Sequence, residues 1–320
     1  MRLPGTMTIN EQGHLEIGGC DTVDLAREFG TPLYIYDVAL IRKRARAFLQ
    51  AFTKEKVNGQ VAYASKAFSS IAIIQLMEEE GLALDVVSGG ELYTAMKAQF
   101  PPERIHFHGN NKSPEELKMA LDHGIGCIVV DNFYELHLLE ELARARGEKI
   151  AILIRVTPGV EAHTHDYILT GQEDSKFGFD LASGQAREAL KLALQTGLFD
   201  VRGIHCHIGS QIFDSEGFVL AIQKIFSYLK DWREELSFEL EILNVGGGFG
   251  IRYIEGDEPQ PPEQFVRDII SEVKRQVQLY AMDMPEIWIE PGRSLVGDAG
   301  TTPYTVGSSK VVPGIRKYIA

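Results

Sequence analysis

Cysteine is scarce in this sequence, and its scarcity excludes two ways of stabilising a fold. The chain has 3 cysteines among 320 residues, at Cys20, Cys127 and Cys206. Any disulfide scheme leaves one of them over, and none has the close spacing of paired zinc ligands. We therefore expect a protein of the reducing cytoplasm, with neither a disulfide framework nor a metal.

Positive charge and long apolar runs are also in short supply. The 32 Lys+Arg face 45 Asp+Glu, for a formal net charge of -13. An acidic surface repels the phosphates of nucleic acids and anionic lipid surfaces. No stretch approaches the roughly 18 uninterrupted apolar residues of a membrane helix, and the N-terminus lacks the pattern of a secretory signal. We expect neither nucleic acid nor membrane as a partner.

The chain does contain a regular alternation of strands and helices. From about residue 60, short β-branched runs alternate with amphipathic stretches, as in parallel strands joined by crossover helices. Apolar stripes at helical spacing, beginning at Phe218 and at Phe265, mark two of the longer helices. Eight strand-helix units predict a (β/α)₈ TIM-type barrel. The predicted strands are 61–65, 83–88, 105–109, 127–131, 150–156, 201–208, 241–246 and 286–290.

Both chain ends depart from this rhythm. Residues 6–18 alternate like a hairpin, 32–36 resemble another strand, and 303–320 look extended with turn residues at Pro313-Gly314. We therefore predict a barrel domain over residues 37–290 and a β-rich second domain assembled from 1–36 and 291–320. The loop 157–182 is long and polar, which is typical of an active-site lid.

Polar residues stand where the predicted strands end, which is where barrels of this type place their active sites. Lys66 follows the first strand, and a Gly246–Gly248 run follows the seventh. An isolated glycine triplet is usually a tight turn. After the seventh strand it favours a phosphate site instead, built from backbone N–H groups together with Ser210 and the Gly292 turn.

A lysine and an acid complete the pattern. Lys66 taken alone would be a solvated surface lysine, but an amine among strand ends is placed for Schiff-base formation with a carbonyl. Glu290, on the eighth strand, is the best candidate to pair with a pyridine nitrogen. Its alternative is an ion pair with Arg293 or another base at the barrel mouth. A phosphate site, an amine and an acid are what pyridoxal phosphate requires.

The segment His205-Cys206-His207 follows the sixth strand. His207 would usually be a satisfied core histidine, but here its ring is placed to stack on a cofactor. Because strand side chains alternate, we expect His205 on the face opposite to His207. We expect Cys206 to face the helix layer, where its thiol would be inert. A metal bound by the two histidines is not favoured, because no carboxylate or third histidine lies at ligand spacing in the sequence.

These strand-end motifs resemble, in order and spacing, those of barrel-type pyridoxal-phosphate decarboxylases. The matching segments are Tyr63–Ala67, Asp85–Leu92, His108–Ser113, Gly203–Gln211, Asn244–Gly250 and Glu290–Ser294. Within that group, Thr164-His165, Tyr167-Ile168, Thr170-Gly171, Asp174–Gly178 and Gln211 are similar to diaminopimelate decarboxylases. The resemblance covers essentially the whole chain and implies decarboxylation of meso-diaminopimelate to L-lysine by a homodimer.

The resemblance also implies a role for each matching residue. Lys66 would form the internal aldimine, His207 would stack on the cofactor ring, and Glu290 would pair with its pyridine nitrogen. Arg293 would bind a substrate carboxylate. The remaining cofactor contacts would come from Asp85, Ser210, Gly246, Gly247, Gly248 and Gly292.

Family members continue past the position of Ala320. Their further strands include a loop with Cys-Glu that reaches the neighbouring active site, and a tyrosine near the cofactor phosphate. We therefore expect this chain to lack part of the second domain. Three alternatives stay open at this point: a decarboxylase of ornithine or arginine, a non-catalytic pyridoxal-phosphate binder, and an unrelated lysine-dependent aldolase.

Overall fold

A computed structural model describes residues 3–160 and 175–320. The chain forms two compact units, one of Arg44–Leu295 and the other of Met1–Lys43 with Val296–Ala320. The described strands are β1 Thr8–Ile9, β2 Leu15–Ile17, β3 Cys20–Asp21, β4 Ile35–Tyr36, β5 Gly59–Ala64, β6 Ala83–Val86, β7 Ile105–Phe107, β8 Cys127–Val130, β9 Ile150–Thr157, β10 Phe179–Asp180, β11 Phe199–His205, β12 Ile242–Gly247, β13 Glu286–Glu290, β14 Gly300–Thr301, β15 Ser309–Val312 and β16 Arg316–Ile319. The described helices are α1 Thr22–Phe29, α2 Val38–Glu55, α3 Ile71–Glu79, α4 Gly89–Lys97, α5 Pro114–His123, α6 Phe133–Arg146, α7 Gln185–Thr196, α8 Glu216–Leu236, α9 Pro262–Tyr280 and α10 Arg293–Val296.

The larger unit contains a closed parallel barrel. Its ring runs β5-β6-β7-β8-β9-β11-β12-β13, with β13 returning to pair with β5 and the short β10 added beside β9. Each of the eight predicted strands is present, which confirms the predicted barrel. Because all eight strands are parallel, their carboxyl ends meet at one mouth.

Apolar side chains hold the barrel and its helices together. Five buried residues from β8, β9, β12 and β13 form one core cluster, made of Cys127, Val129, Leu153, Ile242 and Trp288. Helix α8 buries one stripe that includes Phe218, Ile222 and Trp232, as the helical period of its apolar residues predicts. No helix among the described residues is long and apolar enough to cross a membrane.

The smaller unit is built from short antiparallel pairings. Strands β1, β2 and β3 form a three-stranded sheet, β4 pairs with β14, and β15 pairs with β16 around Pro313-Gly314. The predicted N-terminal hairpin and the extended C-terminal segment are both present. Sheets contributed by the two chain ends therefore accompany the barrel, as predicted.

Candidate active site at the barrel mouth

Lys66 stands in the first turn after β5. The chain leaves the strand at Ala64 and forms a 3-10 turn over Ser65–Ala67, in which Ser65 is buried and Lys66 is exposed. Ser65 Oγ donates to Glu91 Oε2 at 2.8 Å, and the Val87 N–H donates to the same oxygen at 2.9 Å. Glu91 therefore braces the turn that carries Lys66 against the end of β6.

Two buried acids lie close to this amine. Asp85 on β6 and Glu290 on β13 are 2% and 6% exposed. Burial raises the pKa of both carboxyls, to about 7 for Glu290, while the charge of Lys66 acts in the opposite direction on each. Glu290 also raises the pKa of Asp85. The site thus holds two neighbouring acids that burial makes reluctant to ionise, with a lysine nearby to offset them.

The Glu290 carboxylate has polar neighbours at both of its oxygens. Asn244 Nδ2 donates to Oε1 at 2.6 Å, and His108 Nε2 lies 3.2 Å from the same oxygen. His205 Nε2 lies 3.3 Å from Oε2. Asn244 is itself fixed, since its Oδ1 accepts the Gly246 N–H at 2.9 Å. We call Asp85, Glu290, His108 and His205 the acid cluster.

The acid cluster corrects the expectation for His205. It does not face away from the site, because residues two apart on a strand share a face and only Cys206 between the histidines alternates. Cys206 is buried, and burial raises the pKa of its thiol to about 12, consistent with an inert group. The fold also brings to His205 the neighbours that sequence spacing did not provide, Glu290 and His108.

His207 and the glycine run form the next part of the mouth. His207 Nδ1 accepts the Gly247 N–H at 3.3 Å, which leaves the proton of the neutral ring on Nε2. Burial, assisted by the charge of Lys66, holds the pKa of this imidazole well below its usual range. Gly246 and Gly248 have φ angles of +73° and +96°. A Cβ at Gly248 would lie 2.2 Å from the Gly209 carbonyl oxygen, so only glycine allows the ends of β11 and β12 this close.

Arg293 lies beside the proposed phosphate ligand. Its Nη2 donates to Ser210 Oγ at 3.0 Å, and its Nη1 donates to Tyr253 Oη at 2.6 Å. Among the described residues Arg293 makes no ion pair with Glu290, whose carboxylate lies instead near His108 and His205. Its guanidinium lies beside the hydroxyl of Ser210, where it can meet an anionic group.

Several residues of this mouth were not singled out from the sequence. Asn244 lies in the segment Asn244–Gly250, which resembles a family motif. Its position two residues before Gly246 is the sequence feature that could have identified it. Tyr253 had no signal of that kind. Gln211, which the sequence did single out, has a φ of +61° and pairs through its side chain with both backbone groups of Ile251. The lid positions between Thr164 and Asp174 lie outside the described residues.

These residues fit pyridoxal phosphate. The acid cluster keeps three buried polar atoms without a hydrogen-bond partner among the described residues, Asp85 Oδ1, His108 Nε2 and His205 Nδ1. Buried polar atoms normally have partners, so unsatisfied ones mark a place prepared for a ligand. An amine, an acid, a neutral imidazole and a glycine-lined arginine site lie around it, as this cofactor requires.

The chain matches one family model over most of its length. The model of the pyridoxal-dependent decarboxylase, pyridoxal binding domain, matches residues 38–297. A diaminopimelate decarboxylase of Bacillus methanolicus is 65% identical over 320 residues, covering 100% of this chain and 74% of that protein. The diaminopimelate decarboxylase of Bacillus subtilis is also 65% identical, and 73% of it is covered.

Solved structures show the same similarity in three dimensions. The crystal structure of diaminopimelate decarboxylase from M. jannaschii in co-complex with L-lysine superposes with a TM-score of 0.91 at 36% identity. That match covers 98% of this chain and 72% of the other. The likeness therefore extends through the barrel and into both chain ends.

Proposed function

This chain belongs to the pyridoxal-dependent decarboxylase family, and from that premise we propose that it converts meso-diaminopimelate to L-lysine and CO₂. The reaction breaks the bond between one α-carbon and its carboxylate, and a proton takes the place of CO₂. The substrate class comes from the relatives, which are diaminopimelate decarboxylases at 65% identity over the whole of this chain.

The observation that carries the chemistry is the acid cluster opposite an amine. Pyridoxal phosphate, when bound, supplies a ring that takes up the electron pair left by departing CO₂. Lys66 is proposed to hold the cofactor covalently. Glu290 is proposed to hold a proton at the pyridine nitrogen, with its carboxylate oriented by Asn244, His108 and His205. Asp85 is proposed as a second buried acid beside it.

The remaining roles concern binding and orientation. The neutral ring of His207 suits stacking on the cofactor, since no charge has to be desolvated there. Ser210, Gly246, Gly247, Gly248 and Gly292 are proposed to surround the phosphate. Arg293 is proposed to bind both this region and a substrate carboxylate, because a guanidinium forms two parallel hydrogen bonds to a carboxylate.

The proposal also covers the domain organisation, the oligomeric state and the location of the protein. We propose a barrel domain over residues 37–290 with a second domain from both ends. We propose a homodimer, on the resemblance to the family. We also propose a cytoplasmic location, which the scarcity of cysteine supports. Size measurement in solution, with the chain alone and extended to the length of its relatives, tests the dimer.

A substrate panel tests the function. The chain and its extended version are loaded with pyridoxal phosphate, and CO₂ release is measured from diaminopimelate, ornithine and arginine. We expect release from diaminopimelate and an absorption band that borohydride reduction removes. Release from ornithine or arginine instead would favour the related decarboxylases. A reducible band without CO₂ would favour a non-catalytic binder, and no band would contradict the proposal.

A further inference from the structure

Three consecutive helices of the barrel begin in the same way. Helices α4, α5 and α6 each follow a polar cap residue, and each has a glutamate three residues later. The cap side chain accepts the N–H of that glutamate in all three, at 3.3, 3.2 and 3.0 Å. The pairs are Ser88 with Glu91, Ser113 with Glu116, and Asn132 with Glu135. This pattern is a common way to start a helix.

Each of these glutamates also reaches the preceding barrel loop. Glu91 accepts from Ser65 Oγ at 2.8 Å, and Glu116 accepts from the Gly89 N–H at 2.6 Å. Glu135 accepts from Lys112 Nζ at 2.7 Å. The three glutamates therefore tie together the loops that follow β5, β6, β7 and β8. The first two ties use neutral donors, and the third uses a charge.

The ion pair between Lys112 and Glu135 is buried, and all of its donors and acceptor oxygens have hydrogen-bond partners. The side chains of Lys112 and Glu135 are 1% and 2% exposed. An ammonium has three N–H donors, and Lys112 Nζ also donates to the carbonyl oxygens of Gly109 at 2.9 Å and Val129 at 2.8 Å. Glu135 Oε2 accepts the Asp131 N–H at 3.0 Å. We call Lys112 and Glu135 the lysine network.

Through Gly109 and Asp131, the lysine network is linked to two parts of the active-site mouth. Gly109, held by Lys112, follows His108, whose Nε2 lies 3.2 Å from Glu290 Oε1. Asp131, held by Glu135, accepts the Gly178 N–H at 3.1 Å through Oδ2 and lies 3.4 Å from Arg155 through Oδ1. One buried ion pair thus connects the loop that carries His108 with the segment that enters β10.

We propose that Lys112 and Glu135 are positioning residues for the decarboxylation, which fix His108 against Glu290 and Asp131 against the Gly178 segment. They touch neither cofactor nor substrate in this proposal and act through His108 and Asp131. The proposal rests on the proposed function. It gives the buried charge a purpose, since the three donors of the Lys112 ammonium reach two carbonyls and a carboxylate at once.

A charge-removal series separates positioning from stability. Lys112→Met leaves Glu135 buried and unpaired, which is strongly destabilising, so the melting temperature should fall. Lys112→Met combined with Glu135→Met removes both charges, and apolar replacement of a buried ion pair is often neutral or stabilising. We expect the double variant to recover melting temperature while kcat stays about 100-fold below wild type, as a small misplacement of a catalytic group can cause.

KM and the cofactor absorption band serve as internal checks on the double variant. Both should stay near wild type, because neither residue touches substrate or cofactor. If Lys112→Met does not fold, Glu135→Gln tests the same link, since its amide cannot accept from both Lys112 and the Asp131 N–H. The matched control is Arg144→Met with Glu140→Met, an exposed pair on the same helix α6 joined at 2.6 Å. It should change neither kcat nor melting temperature.

The proposal fails if the double variant recovers kcat together with melting temperature, because the pair would then only stabilise. It also fails if the single variant keeps wild-type kcat. Hydrogen exchange at the Asp131 and Gly178 amides gives a readout without activity. Faster exchange at both in the double variant, and not in the control, is expected. If wild type releases no CO₂ the proposed function fails, and exchange alone then decides the positioning role.

Discussion

The acid cluster and the lysine network are both buried sets of ionisable groups, and they differ in how completely they are paired. In the lysine network each donor of the Lys112 ammonium has an acceptor, and both oxygens of Glu135 accept. In the acid cluster two carboxyls lie near each other, and Asp85 Oδ1 and His108 Nε2 have no hydrogen-bond partner among the described residues.

The difference distinguishes a tie within the fold from a site that awaits a ligand. A buried ion pair whose partners are all present costs little further, whereas an unpaired buried acid carries a desolvation penalty that raises its pKa. A cation placed against Glu290, such as a protonated pyridine, would relieve that penalty. We therefore expect changes in the acid cluster to affect cofactor chemistry first, and changes in the lysine network to affect geometry.

The largest effect should come from the amine that faces the acid cluster. Lys66→Ala removes the proposed attachment point, so turnover should fall by at least about 1000-fold and borohydride should no longer fix the cofactor to the protein. Absorbance and mass after reduction measure this directly. Lys176→Ala is the control, because Lys176 is exposed and stacks on Phe177. Cofactor still fixed in the Lys66 variant would remove Lys66 from this role.

The next effect should separate the two acids within the cluster. Glu290→Gln cannot keep the pyridine nitrogen protonated, so kcat should fall by about 100-fold or more while KM changes little. Asp85→Asn should cost less, because the pKa of Asp85 is raised well above its ordinary value and the amide resembles the protonated acid. Steady-state measurement of kcat and KM for both variants shows which acid contributes more. Equal losses would mean that the two acids act as one unit.

Much of this arrangement could be predicted from the sequence. The eight strands were each visible as apolar runs, and Lys66, His207, Ser210 and Arg293 were found because barrel active sites collect at strand ends. Asp85 and Glu290 were found on the same reasoning, and they lie together in the fold. Local patterns were sufficient where function depends on position along one strand.

The pairings between residues far apart in the sequence could not be predicted. Lys112 meets Glu135 across 23 residues, and Asn244 meets Glu290 across 46. Such pairs depend on how strands and loops pack in the closed barrel, which no local spacing encodes. The prediction that His205 faces away from the site was wrong, because its ring lies beside Glu290 and His108. Tyr253 lies in a loop without a periodic pattern, so nothing linked it to Arg293.

A smaller effect should appear at Arg293, which lies outside both clusters. Arg293→Lys loses the two-pronged geometry of the guanidinium, so KM for diaminopimelate should rise by about 10-fold while the cofactor band stays intact. Tyr253→Phe, which removes only the 2.6 Å bond to Nη1, is the matched control and should change KM less. Lost cofactor occupancy together with a lower melting temperature would instead assign Arg293 to the structure of the mouth.

The smallest effect should be the contribution of Glu290 to the pH dependence of stability. Burial raises the pKa of Glu290 from 4.5 to about 7 in the folded protein. A raised acid stabilises the fold below its unfolded pKa, and that contribution is lost as pH rises through about 7. Burial lowers the pKa of His106, His108, His205 and His207, so these groups add stability as pH rises through about 6.5, the usual value for histidine, and oppose the acid.

Between pH 6.5 and 8 the raised acid of the cofactor-free protein should therefore lower the free energy of unfolding by about 1 kcal/mol, an effect that the histidines oppose and that the difference in slope between wild type and Glu290→Gln isolates. The proton belongs to Asp85 and Glu290 as a coupled pair, with Lys66 and Arg155 as the facing cations. Glu290→Gln should remove the acid's part of the slope, whereas the double variant of Arg144→Met with Glu140→Met should keep it, because that pair lies outside the acid cluster. Loading with pyridoxal phosphate should also flatten it, since a protonated ring nitrogen favours the ionised acid. An equal slope in wild type and Glu290→Gln would show that the titrating group lies elsewhere, and the contrast between the two clusters would then rest on geometry alone.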